Sequence, residues 1–186
     1  PRRFITIIRD TPPAHYVLNI QSFSIYSKLP RLNSAVFEVG GYNWKLSLCP
    51  NNIQNGQRYL SLYLVMADDS SLTPDWEIKA EFRLFLYNQI TGKYLMAEAF
   101  CSSGTHERRF SSVKKEWGFS QFISMRTFKN PSNGYLVGDS CVIGAEVLPI
   151  RSSGRVDLFQ LQIQWLVFPS LDGISGSSQN IDSMKS

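Results

Sequence analysis

The residues of this sequence whose type and spacing best suit them to hold another molecule lie between Lys114 and Phe122. Trp117 and Phe119 stand two positions apart, with Gly118 between them. In an extended segment, side chains alternate between the two faces, so both rings point to one side. A glycine between them lets another backbone approach closely. An aromatic surface edged by polar residues is how a peptide-binding groove is built.

A second interpretation places the same two rings in the hydrophobic core. Most large aromatic side chains are mostly buried in folded proteins. On these residues alone, Trp117 and Phe119 are therefore favoured as core residues at the end of a sheet, and a groove is the alternative.

Catalytic chemistry has no comparable signature. Nucleophilic catalysis needs a cysteine or serine beside a base, and the two histidines are His15 and His106. Neither stands in a known catalytic motif, and nothing pairs one of them with Cys49, Cys101 or Cys141. The sequence also lacks a phosphate-binding loop, a dinucleotide fingerprint and an HExxH zinc motif. We therefore predict that the chain is not an enzyme and holds no cofactor and no metal.

Composition narrows the class of protein further. A chain of 186 residues with 43% hydrophobic and 13% aromatic residues suits one folded domain. The net charge of +4 is spread over small clusters instead of a basic stripe, which argues against nucleic-acid binding. Apolar runs fall short of the roughly 20 residues of a membrane helix, so no membrane partner is expected. Three widely spaced cysteines predict free thiols and a cytoplasmic or nuclear location.

Short strands separated by turn signals, without sustained helical periodicity, predict an antiparallel β-sandwich or barrel. The clearest strand is expected at Tyr59–Met66, where Leu60, Leu62 and Leu64 form a face toward the core. The opposite face of this strand is expected to be half exposed, and it consists of Tyr59, Ser61 and Tyr63.

The sequence divides into a domain at residues 10–150 and flanking segments. Residues 1–9 are expected to be a lead-in, because two successive prolines follow them. Residues 151–169 contain strictly alternating apolar positions and are predicted to add a strand-like segment. A Ser- and Gly-rich composition predicts that residues 170–186 are a disordered tail.

Local signals predict three turns or irregularities. Gly40 and Gly41 should turn a hairpin, and residues 50–57, with three asparagines and a glycine, should form a loop. Gly144 is the expected site of a β-bulge in the last strand of the domain.

Five stretches of the sequence together resemble one protein family. They are HYVLNIQSFS (15–24), FEVGGYNWKLSLCP (37–50), YLSLYL (59–64), KEWGFSQF (115–122) and NGYLVGDSCVIGAEV (133–147). In their order and spacing they resemble the MATH (meprin and TRAF homology) domain, and most closely its plant TRAF-like members. The resemblance covers about residues 10–150. It implies an all-β fold, an antiparallel β-sandwich of seven to eight strands.

The resemblance also implies a function and a site. MATH domains bind short extended peptides beside an edge strand, so the expected partner is a protein or peptide, in some family members rich in Ser and Thr. Arg108 stands where a family member has a groove tyrosine, which predicts a preference for acidic ligands. The residues that match groove positions of the family are Tyr63, Phe82, Arg108, Lys115, Glu116, Trp117 and Phe119.

Two points of this match stay open. Strand alternation puts Phe82 on the same face as Leu84 and Leu86, which would bury it in the core.

The leading hypothesis for function is a non-enzymatic peptide-binding module, for example a substrate adaptor of a ubiquitin ligase. The alternatives are the targeting domain of a MATH-containing deubiquitinase and a structural self-association domain that forms a homo-oligomer.

Overall fold

The computed structural model of the chain describes residues 4–68, 75–99 and 106–150. The predicted strand-like segment at 151–169, the predicted disordered tail at 170–186 and Cys101 lie outside the described residues. No helix in the described ranges is long and apolar enough to cross a membrane.

The described residues form eleven strands and two short α-helices. The strands are β1 (Phe4–Arg9), β2 (Tyr16–Ile20), β3 (Leu32–Asn33), β4 (Phe37–Val39), β5 (Tyr42–Gln54), β6 (Gln57–Asp68), β7 (Glu77–Asn88), β8 (Lys93–Ala99), β9 (Arg108–Ser111), β10 (Glu116–Ser124) and β11 (Cys141–Ile150). The helices are α1 (Phe23–Tyr26) and α2 (Met125–Lys129), and a 3-10 helix spans Pro131–Asn133.

The strands form two antiparallel sheets. The first has the order β1-β8-β7-β11-β2, with β9 paired to β7, and the second has the order β10-β6-β5-β3, with β4 paired to β5. Leu60, Leu62 and Leu64 are fully buried between the sheets, as predicted. The predicted all-β antiparallel sandwich is confirmed, and the very short strands β3, β4 and β9 bring the number of strands above seven to eight.

In place of the predicted lead-in, residues 4–9 form β1. This strand pairs with β8 along its whole length, from Phe4 opposite Ala99 to Arg9 opposite Tyr94. The prolines at 12 and 13 end the strand without preventing it, because a proline disrupts only the pairing at its own position.

Two glycine positions also differ from expectation. The predicted loop at residues 50–57 is a hairpin with a two-residue turn, in which Asn55 and Gly56 have φ angles of 51° and 72°. Positive φ at both central residues is typical of the type I′ turn that Asn-Gly favours. Gly144 lies in an unbroken register with both neighbouring strands, and no bulge forms there. A Cβ at this position would instead lie 2.7 Å from the carbonyl oxygen of Tyr16.

His15 links the chain just before β2 to β11 in the first sheet. Its Nδ1 accepts a hydrogen bond of 2.9 Å from the backbone N–H of Val147. Burial lowers the pKa of His15 from its ordinary value of 6.5, and the nearby Glu146 carboxylate opposes this less strongly. The neutral ring is therefore the form that the folded protein favours.

This pKa shift predicts how stability depends on pH. The contribution of His15 to the free energy of unfolding is complete above a pH of about 6.5 and falls as the pH drops below it. His15→Asn retains an acceptor oxygen but has no titrating ring. Between about pH 7 and about pH 5, we expect the variant to lose less stability than the wild type in urea unfolding. Equal losses in the two proteins would contradict this.

Candidate functional site

The candidate site is built around β10, which lies at one edge of the second sheet. Within the described residues, β10 pairs with β6 alone. The Lys115 carbonyl accepts a hydrogen bond of 2.9 Å from the N–H of Met66. In an antiparallel pair, alternate residues direct both backbone groups toward the partner strand. Glu116 and Gly118 therefore direct their N–H and C=O groups away from β6, toward the open edge.

A bulge limits the length of this open edge. The register between β10 and β6 shifts between Phe119 and Ile123. Inside this bulge the carbonyl of Ser120 accepts hydrogen bonds from Ser61 Oγ at 2.6 Å and from Asn52 Nδ2 at 3.0 Å. The prediction that Ser61 is half exposed is thus wrong, because the bulge covers its hydroxyl. Tyr59 on the same face is also buried.

Gly118 and Tyr63 form the close contact at the centre of the edge. The two residues are register partners. A Cβ at Gly118 would lie 2.6 Å from the Cα and 2.8 Å from the ring Cδ1 of Tyr63. The backbone that approaches this glycine is therefore that of β6. Burial also raises the pKa of the half-buried Tyr63 phenol, so its hydroxyl stays a protonated hydrogen-bond donor at neutral pH.

Cationic side chains surround Trp117. Its Nε1 donates a hydrogen bond of 2.6 Å to the carbonyl of Arg109, which fixes the ring beside β9. Lys114 Nζ lies 3.6 Å from the centroid of the ring, and Arg108 Cζ lies 5.5 Å from a ring centroid of the same residue. Cations over an indole face are attracted by its quadrupole. Trp117 therefore forms a half-buried platform with positive charge around it.

Arg31 is a member of the site that the sequence analysis missed. Its Nη1 lies 2.6 Å from Glu116 Oε2, and its Cζ lies 5.6 Å from the centroid of the Tyr63 ring. The hydrogen bond with Glu116 raises the pKa of the Arg31 guanidinium. The two charged residues are 85 positions apart in the chain, so no local pattern could have brought them together.

The structure places Phe82 and Phe119 in the core, with exposed fractions of 4% and 3%. Their ring centroids lie 5.9 Å apart, and Phe4 of β1 packs on Phe119 at 4.7 Å. Alternation along β10 does turn Trp117 and Phe119 to the same side, but that side faces the other sheet. The interpretation of Phe119 and Phe82 as groove residues is corrected, because both rings pack in the core between the two sheets.

The remaining predicted residues lie together. One shallow depression along β10 contains four of them, and Arg108 lies over the Trp117 ring at its border. The depression, which we call the edge groove, is lined by Tyr63, Val113, Lys114, Lys115, Glu116, Trp117, Gly118 and Ser120.

The residues considered for catalysis are dispersed. His15 accepts from Val147, and His106 Nδ1 lies 3.1 Å from the carbonyl oxygen of Ala99. Cys141 is fully buried, and burial raises the pKa of its thiol to about 12. A thiol in this state is a poor nucleophile. Within the described ranges, no group of three or more His, Cys, Asp or Glu residues is arranged to hold a metal ion.

The family model of the MATH domain matches residues 15–147. The chain belongs to the MATH-domain family. It is similar to Ubiquitin C-terminal hydrolase 12 of Arabidopsis thaliana, with 33% identity over 138 residues, which cover 74% of this chain and 12% of that protein. A MATH domain and coiled-coil domain-containing protein of the same plant is 30% identical over 75% of this chain and 40% of its own length.

TNF receptor-associated factor homolog 1a of Arabidopsis thaliana is 31% identical over 74% of this chain and 12% of its own length. The chain thus spans between 12% and 40% of the length of these three relatives. What they share with it is the MATH domain, which is a protein-interaction domain.

The contact between Gly118 and β6 predicts a strict requirement for glycine. Gly118→Ala would push a methyl group into the backbone of Leu62 and Tyr63. We expect a loss of about 1–3 kcal/mol in the free energy of unfolding, measured with urea. Ser120→Ala on the same strand is the control, with an expected change within about 0.5 kcal/mol. Equal stability of Gly118→Ala and wild type would contradict the close contact.

The two described cysteines should differ in reactivity. Cys49 is partly exposed, whereas Cys141 is buried and its thiol has a raised pKa. In a Cys101→Ser background, we expect iodoacetamide to alkylate Cys49 in the folded protein and Cys141 only after denaturation. Peptide mapping by mass spectrometry locates the label. Alkylation of Cys141 under native conditions would be the opposite result.

Proposed function

We propose that this MATH domain binds a short extended peptide as an added strand along β10. The observation that carries the proposal is the open edge of β10 beside the edge groove. In such a complex, backbone hydrogen bonds supply affinity, and pockets for alternate side chains supply selectivity. Glu116 and Gly118 offer the backbone groups for this pairing, and the edge groove offers the pockets.

The side chains of the edge groove suggest which ligands fit. The phenol of Tyr63 and the carboxylate of Glu116 suit the hydroxyl groups of a Ser- or Thr-containing peptide. Arg108, Lys114 and Lys115 gather positive charge beside Trp117. A ligand with an acidic residue near this end should therefore bind more tightly than its neutral counterpart, and the difference should shrink as salt rises.

The added-strand proposal is tested by a matched pair of variants at one position. Glu116→Ala and Glu116→Pro both remove the carboxylate and its ion pair with Arg31. Only proline also removes the backbone N–H that faces the open edge, and proline is tolerated at such edge positions. We expect Glu116→Pro to bind peptides selected on wild type roughly tenfold more weakly than Glu116→Ala does.

The measurement is fluorescence anisotropy with peptides that wild type selects from a peptide array. Thermal unfolding of both variants establishes that each is folded. Equal affinities of folded Glu116→Ala and Glu116→Pro would show that the peptide does not pair with this edge. The array is probed with wild type and, for comparison, with Trp117→Ala. If wild type selects no ligand from the array, this result argues against a peptide-binding role.

Two candidate roles differ in whether a catalytic domain is joined to this domain. One candidate is a substrate adaptor without catalytic activity, acting in the cytoplasm or nucleus. The similarity to Ubiquitin C-terminal hydrolase 12 favours a second candidate, a targeting domain that recruits substrates to a deubiquitinase. Sequencing the full reading frame separates them, because a downstream Cys/His hydrolase region supports only the second. Self-association of the domain is tested by light scattering with and without peptide.

A further inference from the structure

A second depression lies away from the open edge of Glu116–Phe119, around the β5–β6 turn and α2. It contains three cationic side chains from two elements: Arg58 at the start of β6, and Arg126 and Lys129 of α2. All three side chains are exposed. This depression, which we call the basic depression, is lined by Asn51, Gly56, Gln57, Arg58, Met125, Arg126 and Lys129.

The two stretches of chain that line the basic depression carry no acidic residue. The sequence has no Asp or Glu in residues 39–67, which include all of β5 and most of β6, and none in residues 117–138, which include α2. Among the described residues, no carboxylate forms an ion pair with Arg58, Arg126 or Lys129. Elsewhere, cations do find such partners: Arg9, Arg31, Arg83, Lys93 and Arg109 each lie within 4.0 Å of one. A concave surface with charge of a single sign attracts oppositely charged ligands.

The basic depression is connected to the edge groove. A third depression lies between them and shares Tyr63 with the edge groove and Asn51 with the basic depression. Its remaining lining residues are Lys28, Leu29, Pro30, Cys49 and Asn52. The three depressions therefore adjoin one another, so a ligand in the edge groove has the basic depression within reach over the surface of the second sheet.

We propose that the basic depression binds a carboxylate- or phosphate-bearing stretch of the same peptide that adds to β10. The inference rests on the proposed function for the identity of the ligand. Arginine side chains bind carboxylate and phosphate groups through two parallel hydrogen bonds. A peptide suits the site better than single-stranded nucleic acid, because the described residues that line the basic depression include no aromatic ring on which bases would stack.

The site itself is tested by adding hexaglutamate or hexaglutamine to the full chain and measuring the amide chemical shifts by NMR. We expect hexaglutamate to shift the amides of Arg58 and of α2, and hexaglutamine to shift neither. The double variant Arg126→Gln/Lys129→Gln should weaken hexaglutamate binding by about fivefold. The control Lys79→Gln/Lys93→Gln removes the same charge from the first sheet and should leave binding unchanged.

Three results would overturn the site. They are equal weakening by both double variants, absence of hexaglutamate binding, and tighter binding of an oligonucleotide or of anionic vesicles through Arg126 and Lys129. If the basic depression binds hexaglutamate, the affinity should fall as the salt concentration rises.

The link to the edge groove is tested separately with the array peptides. We expect wild-type ligands to carry Asp, Glu or phosphoserine on the side of the paired segment toward α2. Arg126→Gln/Lys129→Gln should lose the preference on that side and keep the preference beside Trp117. Ligands that bind the edge with no acidic residue on the α2 side, and bind both proteins equally, would overturn the inference and leave the proposed function intact. A third result separates the two proposals. If Glu116→Pro still binds hexaglutamate but the array yields no ligand, the basic depression is supported and the added-strand proposal is rejected.

Discussion

The pairing of β10 with β6 is the interaction on which the candidate site depends. It turns Phe119 into the core, brings Gly118 against the backbone of Tyr63, and leaves the backbone groups of Glu116 and Gly118 facing outward. The same pairing ends in a bulge, where Ser120 bonds to buried Ser61. The bulge confines the open edge to a few residues, which reduces the hazard of non-specific edge-to-edge pairing. The site is thus a short open strand edge, and the polar, charged and aromatic side chains of the edge groove lie beside it.

Patterns within single strands predicted the sandwich and much of its core. Alternation placed Leu60, Leu62 and Leu64 correctly, and it placed Trp117 and Phe119 on one side of β10. It could not say that this side faces the other sheet, because the burial of a face depends on what packs against it.

The features that local patterns missed are contacts between distant parts of the chain. Arg31 reaches Glu116 across 85 positions, and Phe4 of β1, near the start of the chain, packs on Phe119 of β10. Tyr63, Lys115, Glu116 and Trp117 were grouped by resemblance to a family, and the structure brings them into one depression. The burial of Ser61 came from the bulge in β10, a register shift that no hydrophobic pattern records.

Added-strand recognition at β10 is tested most directly by amide hydrogen exchange, measured by NMR with and without a bound array peptide. The amides of Trp117 and Phe119 face β6, so their exchange should change little on binding. Those of Glu116 and Gly118 face the open edge, and they should exchange much more slowly once a peptide strand accepts their hydrogen bonds. Unchanged exchange at Glu116 and Gly118, in a domain saturated with peptide, would contradict the account.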